Sequence, residues 1–163
     1  YVRGIELSGS LQFGSLWQPL DGFGVQASVS GTESSVSPNG PGTTEKLPGL
    51  SGVVRNITLF YEKQGFSARV AQRYRSAFRG EVTGLFAQRA FSEILAEDQV
   101  DIQLGYEFQD GPLKNLGLLL QVNNLGNEPY QTRQGSPFAS GAYAPERYTT
   151  YGRQVLFGVN YKL

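Results

Sequence analysis

Residues 56–73 read NITLFYEKQGFSARVAQR, and apolar and polar side chains alternate on both sides of the central Lys-Gln-Gly at residues 63–65. A period of two is typical of a β-strand, because successive side chains of a strand point to opposite faces of a sheet. The central Gly permits the backbone conformation that a tight turn requires. The stretch therefore predicts an antiparallel β-hairpin with Ile57, Leu59 and Val70 on an apolar face.

The same alternation recurs along the whole chain and predicts about seven strands of roughly 9–13 residues. Strands of soluble domains usually have about 5–6 residues, whereas a tilted strand that crosses a membrane needs about 9–11. The predicted connections are alternately short and long, as they are in outer-membrane barrels. The sequence therefore predicts an all-β antiparallel meander. The clearest alternation within these strands covers residues 5–13, 23–30, 56–62, 66–73, 100–108, 116–123 and 154–163.

Three long connections are predicted, at residues 35–50, 77–98 and 125–150. The first is rich in Pro, Gly, Ser and Thr, which is typical of a loop. Only residues 86–99, FAQRAFSEILAEDQ, have a helical composition, since their apolar residues recur at the spacing of one helical face. A short amphipathic helix is therefore predicted in this part of the chain.

The composition excludes several classes of function. Lys plus Arg and Asp plus Glu each number 14, so the zero formal net charge disfavours a nucleic-acid-binding surface. The chain has neither Cys nor His, which removes disulfides, the usual zinc sites and His-dependent acid–base catalysis. No apolar run approaches the roughly 20 residues of a transmembrane helix. We therefore expect no enzymatic activity, no metal and no cofactor. No role is predicted for the acidic residues Glu93, Glu97, Asp98 and Asp101.

The two faces of the predicted strands differ in a way that favours a barrel wall. The polar face carries Gly, Ser, Gln and Asn with a few charges, which suits a crowded hydrated lumen. The apolar face lacks charge in mid-strand except at Arg55, which we expect near a loop end. It also ends in aromatic residues beside the short turns, where the interfacial girdle of a membrane barrel lies. These are Phe13, Trp17, Tyr61, Phe66, Tyr106, Phe108 and Tyr161. On the polar face, cross-strand ion pairs are predicted among Arg69, Arg73, Arg75, Glu62, Asp101 and Glu107.

Four segments of the chain have a recognisable pattern. They are GIELSGSLQ (4–12), NITLFYEKQGFSARVAQRYRSAF (56–78), VNNLGNEPYQT (122–132) and YGRQVLFGVNYKL (151–163). Together they resemble the C-terminal barrel strands of TonB-dependent outer-membrane receptors, and the string NLGNEPY at residues 124–130 is among the most specific parts. The final apolar alternation resembles the signal that the barrel-assembly machinery recognises, although Leu163 stands where that signal usually has Phe.

This resemblance implies a 22-stranded transmembrane barrel closed by a plug domain, of which residues 1–163 would supply about the last seven strands and no plug. The protein would lie in the outer membrane of a Gram-negative bacterium and take up a scarce solute, such as a siderophore with its iron or a saccharide. Its partners would be outer-membrane lipid, the TonB complex through the plug, the barrel-assembly machinery through residues 155–163, and the small solute. Alone, the chain is expected to form an open curved sheet or to pair with another copy at its edges.

The resemblance also implies where the solute binds. In such receptors the plug, the upper lumen wall and the surface loops hold the solute, so the connection at residues 125–150 contains the candidate contacts. Aromatic rings stack on sugars or catecholates, and Arg pairs with carboxylates or ferric chelates. The candidates are Tyr130, Arg133, Phe138, Tyr143, Arg147 and Tyr148.

Two other functions remain open from the residues alone. A soluble β-sandwich binding module, of the carbohydrate or adhesion type, would also have about seven strands and aromatic loops. An outer-membrane barrel enzyme is a third interpretation, but without His it lacks the usual general base. The sandwich requires two sheets packed around a dry core, whereas the receptor requires an apolar face that contacts lipid.

Overall fold

The computed structural model describes residues 1–37, 42, 44–83, 89–134 and 144–162. Over these residues the chain is all-β, as predicted, with eleven strands in two antiparallel sheets. The same residues also contain two 3₁₀ turns and no α-helix; the turns are Phe13–Ser15 and Gln18–Leu20. None of these helical segments has the length and apolar content that a bilayer crossing requires.

The larger sheet, here called the main sheet, is the predicted antiparallel meander. Its seven strands, in spatial as well as chain order, are β1 (Val2–Gln12), β2 (Phe23–Ser34), β3 (Val53–Lys63), β4 (Phe66–Arg75), β7 (Glu97–Glu107), β8 (Leu116–Asn123) and β11 (Gln154–Tyr161). The sheet is open, since β1 and β11 each pair on one side only within the described chain.

Short and long connections lie at opposite ends of the main sheet, which confirms their predicted alternation. The short-turn end is closed by residues 13–22, 64–65 and 108–115. The long-connection end contains residues 35–52, 76–96 and 124–153. All three long connections therefore follow strand ends at the same end of the main sheet.

Two of the long connections fold into a second sheet, here called the loop sheet, which the sequence did not predict. Its strands are β5 (Phe78–Thr83), β6 (Arg89–Ile94), β9 (Tyr130–Gln134) and β10 (Ala144–Thr149). They pair in the order β10-β9-β6-β5. The short β6–β9 pairing, which includes Glu93 opposite Arg133, joins the second connection to the third.

The prediction of a helix at residues 86–99 is wrong for residues 89–99, which are the part of this segment that the structure describes. Residues 89–94 form β6, and residues 97–99 begin β7. Residues 86–88 lie outside the described part of the chain. An isolated helix shorter than about 12–15 residues has only marginal stability in water. Strand pairing therefore readily replaces a helix in such a segment.

The strand pairing that replaces the helix is an extension of the main sheet. β4 pairs with β7 up to Arg75 opposite Glu97, and β5 then pairs with β6 from Phe78 opposite Ile94, in the same register. The second long connection is therefore the upper part of one long hairpin, interrupted between the two sheets.

Cross-strand register places most apolar residues of the seven strands on one face of the main sheet, here called the apolar face. One row across the sheet consists of Leu11, Val25, Leu59, Val70, Ile102, Val122 and Val155. The opposite face, here called the polar face, carries most of the Gly, Ser, Gln, Asn and charged residues, together with Phe60, Leu119 and Leu156. The predicted division into two faces is confirmed.

The apolar face has no covering layer in the described part of the chain. None of the hydrophobic side chains described there is buried, and the mid-strand residues Leu59 and Phe157 are 52% and 70% exposed. No described strand of the loop sheet packs extensively against a strand of the main sheet. The described residues therefore do not form the two packed layers of a β-sandwich.

Aromatic residues of the apolar face gather toward the short-turn end, as predicted. The ring centroids of Phe23 and Tyr61 are 4.5 Å apart, and those of Tyr61 and Phe66 are 6.0 Å apart. Tyr106 and Phe108 meet edge to face at 5.0 Å. Neighbouring strands thus form an aromatic band at this end of the sheet.

Arg55 interrupts the apolar face near the long-connection end, as predicted. It is the third residue of β3, and its guanidinium lies 5.2 Å from the centroid of the Tyr74 ring. Further polar residues on the apolar face were not predicted. Gln72 donates hydrogen bonds to both carboxylate oxygens of Asp98, at 2.8 and 2.9 Å. Arg3 pairs with Glu33 near the long connections, and Lys63 lies beside a short turn. Except for Lys63, these polar residues lie in the half of the face nearest the long connections.

The turn between β3 and β4 has the tight geometry that its sequence predicts. Gln64 and Gly65 are its two central residues, and both have positive φ, 51° and 81°. Positive φ at both positions is characteristic of a type I′ turn, whose twist matches that of the flanking strands. A Cβ on Gly65 would lie 2.3 Å from the carbonyl oxygen of Glu107.

Gly65→Ala is expected to destabilise the sheet more than Gly111→Ala. Both glycines have left-handed φ, 81° and 78°, but a Cβ on Gly111 would meet no atom within 4 Å. Left-handed backbone costs Ala about 1–2 kcal/mol at either position. The clash with Glu107 adds about 1–3 kcal/mol at Gly65 alone. Urea unfolding, followed by the fluorescence of the single Trp17, measures both losses; equal losses would show that the Glu107 contact is unimportant.

Candidate functional site

The three Arg residues of β4 lie on the polar face, and each is paired with a carboxylate. The pairs are Arg69–Glu62, Arg73–Asp101 and Arg75–Glu97, with N–O distances of 2.5, 2.8 and 2.6 Å. Glu107 forms its ion pair with Lys162 of the last strand region rather than with an Arg, at 2.9 Å. The predicted cross-strand ion pairs are therefore confirmed, with this exchange of partner. Their common effect is to leave this part of the polar face without excess charge.

Asn124, the first residue of the NLGNEPY string, is the hydrogen-bonding centre of the third long connection. It has a left-handed φ of 54° and is only 7% exposed. Its backbone N–H donates to Oδ1 of Asp101 at 2.9 Å. Its Oδ1 accepts the N–H of Glu128 at 2.7 Å, and its Nδ2 donates to the carbonyl oxygens of Glu128 and Gly152 at 3.1 and 3.3 Å. Asn124 thereby holds the chain that leads into β11 against the end of β8.

A groove of about 440 Å³ lies on the polar face beside Asn124 and is here called the amide groove. It crosses β4, β7 and β8 and reaches the start of β11. Its side chains are five amides, one ion pair and one aromatic ring: Gln99, Gln121, Asn123, Asn124, Gln154, Arg73 with Asp101, and Tyr151. None of the amides, nor Tyr151, was predicted from the sequence as a solute contact. The sequence does contain a signal for these amides, because most of them lie on the predicted polar face next to a predicted loop.

Two other grooves lie on the main sheet. One of about 670 Å³ lies at the short-turn end and also contains amides, charged groups and rings, among them Gln109, Asn160, Lys63, Glu107 and Tyr106. Another of about 310 Å³ is lined mainly by Ser, Gly and amide residues of β1, β2 and β3, with no charged group and no aromatic ring. The amide groove has its amides, charge pair and ring at the long-connection end, where the resemblance places the solute, so it is the candidate for recognition of a small solute.

The structure describes four of the six predicted solute contacts. Phe138 and Tyr143 lie outside the described residues. The other four lie on the paired strands β9 and β10 of the loop sheet; they are Tyr130, Arg133, Arg147 and Tyr148.

The register of β9 with β10 divides these four candidates between the faces of the loop sheet. Tyr130 and Arg147 share one face, whereas Arg133 and Tyr148 share the opposite face. Arg133 also forms an ion pair with Glu93 of β6, so it joins β9 to β6 by its side chain as well as by its backbone. A solute on one face of the loop sheet would therefore meet two of the four.

Side chains tie the three long connections to one another. Arg79 of β5 forms an ion pair with Glu45 of the first connection, and its carbonyl oxygen accepts the N–H of Gly49 at 2.7 Å. The guanidinium of Arg79 also lies 3.6 Å from the centroid of the Phe91 ring in β6. Because β6 pairs with β9, parts of all three connections belong to one hydrogen-bonded structure.

The pKa of the Glu146 carboxyl group on β10 is lowered. The nearby Ser92 hydroxyl contributes most to this lowering of the pKa, followed by the hydroxyl of Thr132. Thr132 and the side-chain amide of Gln134 each donate a hydrogen bond to Glu146 at 2.9 Å. Such donors stabilise the ionised carboxylate, so Glu146 links β10 to β9 in its charged form.

The acidic residues to which the sequence assigned no role are engaged in protein contacts. Glu93, Glu97, Asp98 and Asp101 each accept hydrogen bonds from an Arg or Gln side chain. Within the described ranges, no three His, Cys, Asp or Glu side chains are grouped so as to hold a metal ion.

Comparison with known proteins adds no relative. No family model matches the chain, and no curated protein or solved structure matches it either. Function is therefore argued from the geometry and the sequence pattern.

Asn124→Ala is expected to cost more stability than Asn127→Ala. Both residues have a left-handed φ of 54°, so both substitutions carry the same backbone penalty. Asn127 is exposed and its side chain makes no hydrogen bond within the described chain, whereas Asn124 makes three with Glu128 and Gly152. Loss of these buried hydrogen bonds adds about 2–3 kcal/mol of destabilisation at Asn124. Urea unfolding of the two variants measures the difference, and similar midpoints would contradict the assigned role of Asn124.

The β9–β10 pair is expected to lose protection in acid. A carboxyl whose folded-state pKa lies below its ordinary value of 4.5 contributes stability above that value and loses it as the pH falls through the folded-state pKa. Amide hydrogen exchange of β9 and β10, corrected for intrinsic rates between about pH 6 and pH 3, follows the loss.

Glu146→Gln should reduce this protection at neutral pH and remove its decline in acid. Glu6→Gln, on β1 of the main sheet, serves as the matched control and should leave the loop sheet unchanged. A decline that persists in Glu146→Gln would assign the pH dependence to another group.

Proposed function

We propose that this chain is part of the wall of a transmembrane β-barrel, a TonB-dependent receptor in the outer membrane of a Gram-negative bacterium. The observation that carries the proposal is the apolar face, which crosses all seven strands and is left uncovered by the described chain. Lipid tails provide the environment in which such a face is stable. The barrel would take up a scarce solute with energy from the TonB complex.

The dimensions of the main sheet support this proposal. The 11 residues of β3 extend about 36 Å at about 3.3 Å per residue. A tilt of about 45° reduces this length to about 26 Å along the membrane normal, close to the roughly 25 Å apolar band of outer-membrane barrels. The aromatic band would then lie at the periplasmic interface. Arg55, Gln72 and Asp98 would lie toward the outer interface.

The edges of the main sheet support closure by further strands. Because seven antiparallel strands form a meander, β1 and β11 run in the same direction, from the long-connection end to the short-turn end. The two edges are unsuited to antiparallel pairing with each other, so closure requires an odd number of additional strands. The 22-stranded barrel implied by the resemblance satisfies this requirement. Its other strands would also satisfy the edge backbone groups in lipid.

The proposed barrel has four kinds of partner. Lipid would cover the apolar face, and the barrel-assembly machinery would recognise residues 155–163. The TonB complex would act through a plug domain that these residues do not include. The solute would contact the polar face, which would line the lumen, and the long connections. The candidate contacts in the third connection remain Tyr130, Arg133, Phe138, Tyr143, Arg147 and Tyr148. No enzymatic step is proposed.

A soluble β-sandwich module is the competing interpretation. It needs a second layer on the apolar face, and the described loop sheet does not supply one. The two interpretations differ in the solvent in which the protein folds, since a sandwich folds in water whereas the barrel wall requires lipid or detergent. A charge in the middle of a lipid-facing strand is costly, whereas the same charge on the hydrated polar face is tolerated.

Leu59→Arg is therefore expected to block insertion, whereas Thr58→Arg is tolerated. The two residues are adjacent near the middle of β3, with Leu59 on the apolar face and Thr58 on the polar face. An Arg at the bilayer midplane costs about 2–4 kcal/mol. The measurement is the amount of the complete gene product that fractionates with the outer membrane of a Gram-negative host. A complete product that is a folded, detergent-independent monomer would overturn the proposal, and so would equal outer-membrane insertion of Leu59→Arg and Thr58→Arg.

A further inference from the structure

The solute class can be inferred from the amide groove. We infer that the groove binds a neutral polyhydroxylated solute of the saccharide type, and not an anionic ferric chelate. This inference rests on the proposed function, since it takes the polar face to be the wall along which the solute passes. It is carried by the charge balance, the hydrogen-bonding groups and the ring that the groove brings together.

The charge balance of the groove disfavours an anion. Arg73 and Asp101 are its charged side chains, and they lie 2.8 Å apart as an ion pair. Arg73 also donates to Oε1 of Gln99 at 3.1 Å, while Asp101 accepts the N–H of Asn124. The neighbouring Arg75 is neutralised by Glu97. An anionic chelate would have to break the Arg73 pair to gain a counter-charge, whereas a neutral solute leaves that pair intact.

The amides of the groove offer the hydrogen bonds that hydroxyl groups need. Gln121 donates to Oδ1 of Asn123 at 2.7 Å, which leaves the Gln121 oxygen and the Asn123 amino group open. Gln154 makes no side-chain hydrogen bond to another described residue. Open donors and acceptors therefore lie on both β8 and β11. A hydroxyl both donates and accepts, so a row of hydroxyls matches such a surface at each position.

Tyr151 adds an aromatic surface at the edge of the amides. Its side chain lines the groove and is 69% exposed, and the next residue, Gly152, has a left-handed φ of 77°. The Gly152 carbonyl is held by Nδ2 of Asn124, and Arg153 donates to the carbonyl oxygen of Leu125 at 2.8 Å. The ring is thus attached to a fixed backbone. A ring beside amides suits the C–H face of a pyranose together with its hydroxyl edge.

The test is binding of defined probes to the complete receptor in detergent micelles, measured by isothermal titration calorimetry. The neutral probes are linear oligosaccharides of glucose, of xylose and of N-acetylglucosamine. The anionic probes are ferric citrate and a ferric tris-catecholate. The inference expects at least one neutral oligosaccharide to bind and neither ferric chelate to do so. Binding of a ferric chelate, or of no neutral oligosaccharide, overturns the inference.

Variants then locate the bound oligosaccharide. Tyr151→Ala should weaken its binding by about tenfold, and Tyr151→Phe should retain it because the ring remains. Gln121→Ala should weaken binding by about threefold to tenfold, the loss expected for one or two hydrogen bonds. Gln26→Ala removes an exposed amide of the polar face on β2, outside the groove, and should change nothing. An equal loss in Gln26→Ala and Gln121→Ala would place the sugar elsewhere and overturn the assignment.

The outcomes separate this inference from the proposed function. A receptor that fractionates with the outer membrane but binds ferric citrate or the tris-catecholate refutes the saccharide assignment and leaves the proposed function standing. A complete product that is soluble without detergent refutes the proposed function, whatever it binds.

Discussion

Apolar surface must be removed from water, and the main sheet has a whole face of it that the described chain leaves bare. Full burial of one aliphatic side chain is worth about 1.5–3 kcal/mol, so a row of seven is worth roughly 10–20 kcal/mol. The net stability of a domain is only about 5–15 kcal/mol. The single row from Leu11 to Val155 is therefore large enough to decide in which solvent the sheet persists. Long strands and a terminal aromatic band are compatible with hydrocarbon as that solvent, whereas the free edges would need further strands there.

The ion pairs of the polar face contribute little to stability, because their charged groups are exposed to water. Ion pairs between exposed side chains contribute only about 0–1 kcal/mol each, so the pairs of β4 add little stability. Their electrostatic effect is larger, since an unpaired row of Arg69, Arg73 and Arg75 would give the wall a positive field. With each Arg matched by a carboxylate, recognition at this wall is left to hydrogen bonding and ring contact.

The sequence predicts the main sheet well because the information is local. Alternation determines the faces, and Gly65 determines a turn, each within a few residues. The loop sheet depends instead on distant pairing, as between Glu93 and Arg133, which are 40 residues apart. In β6 a short apolar pattern fits a helix and a strand equally, so only the partner strand decides between them. The amide groove was missed for a similar reason: its amides come from three strands, and no one segment contains the pattern.

The family resemblance and the inferred recognition of a solute rest largely on different residues. Asn124 belongs to the NLGNEPY string, and its left-handed backbone and internal hydrogen bonds give that string a structural meaning. Its bond to Gly152, 28 residues away, also determines where Tyr151 lies. A string of this kind can therefore be typical of one class of barrel without indicating its solute, since it positions residue 151 but does not determine which side chain stands there. In the proposed receptor, selection of the solute would fall to Tyr151 and to the groove amides outside the string.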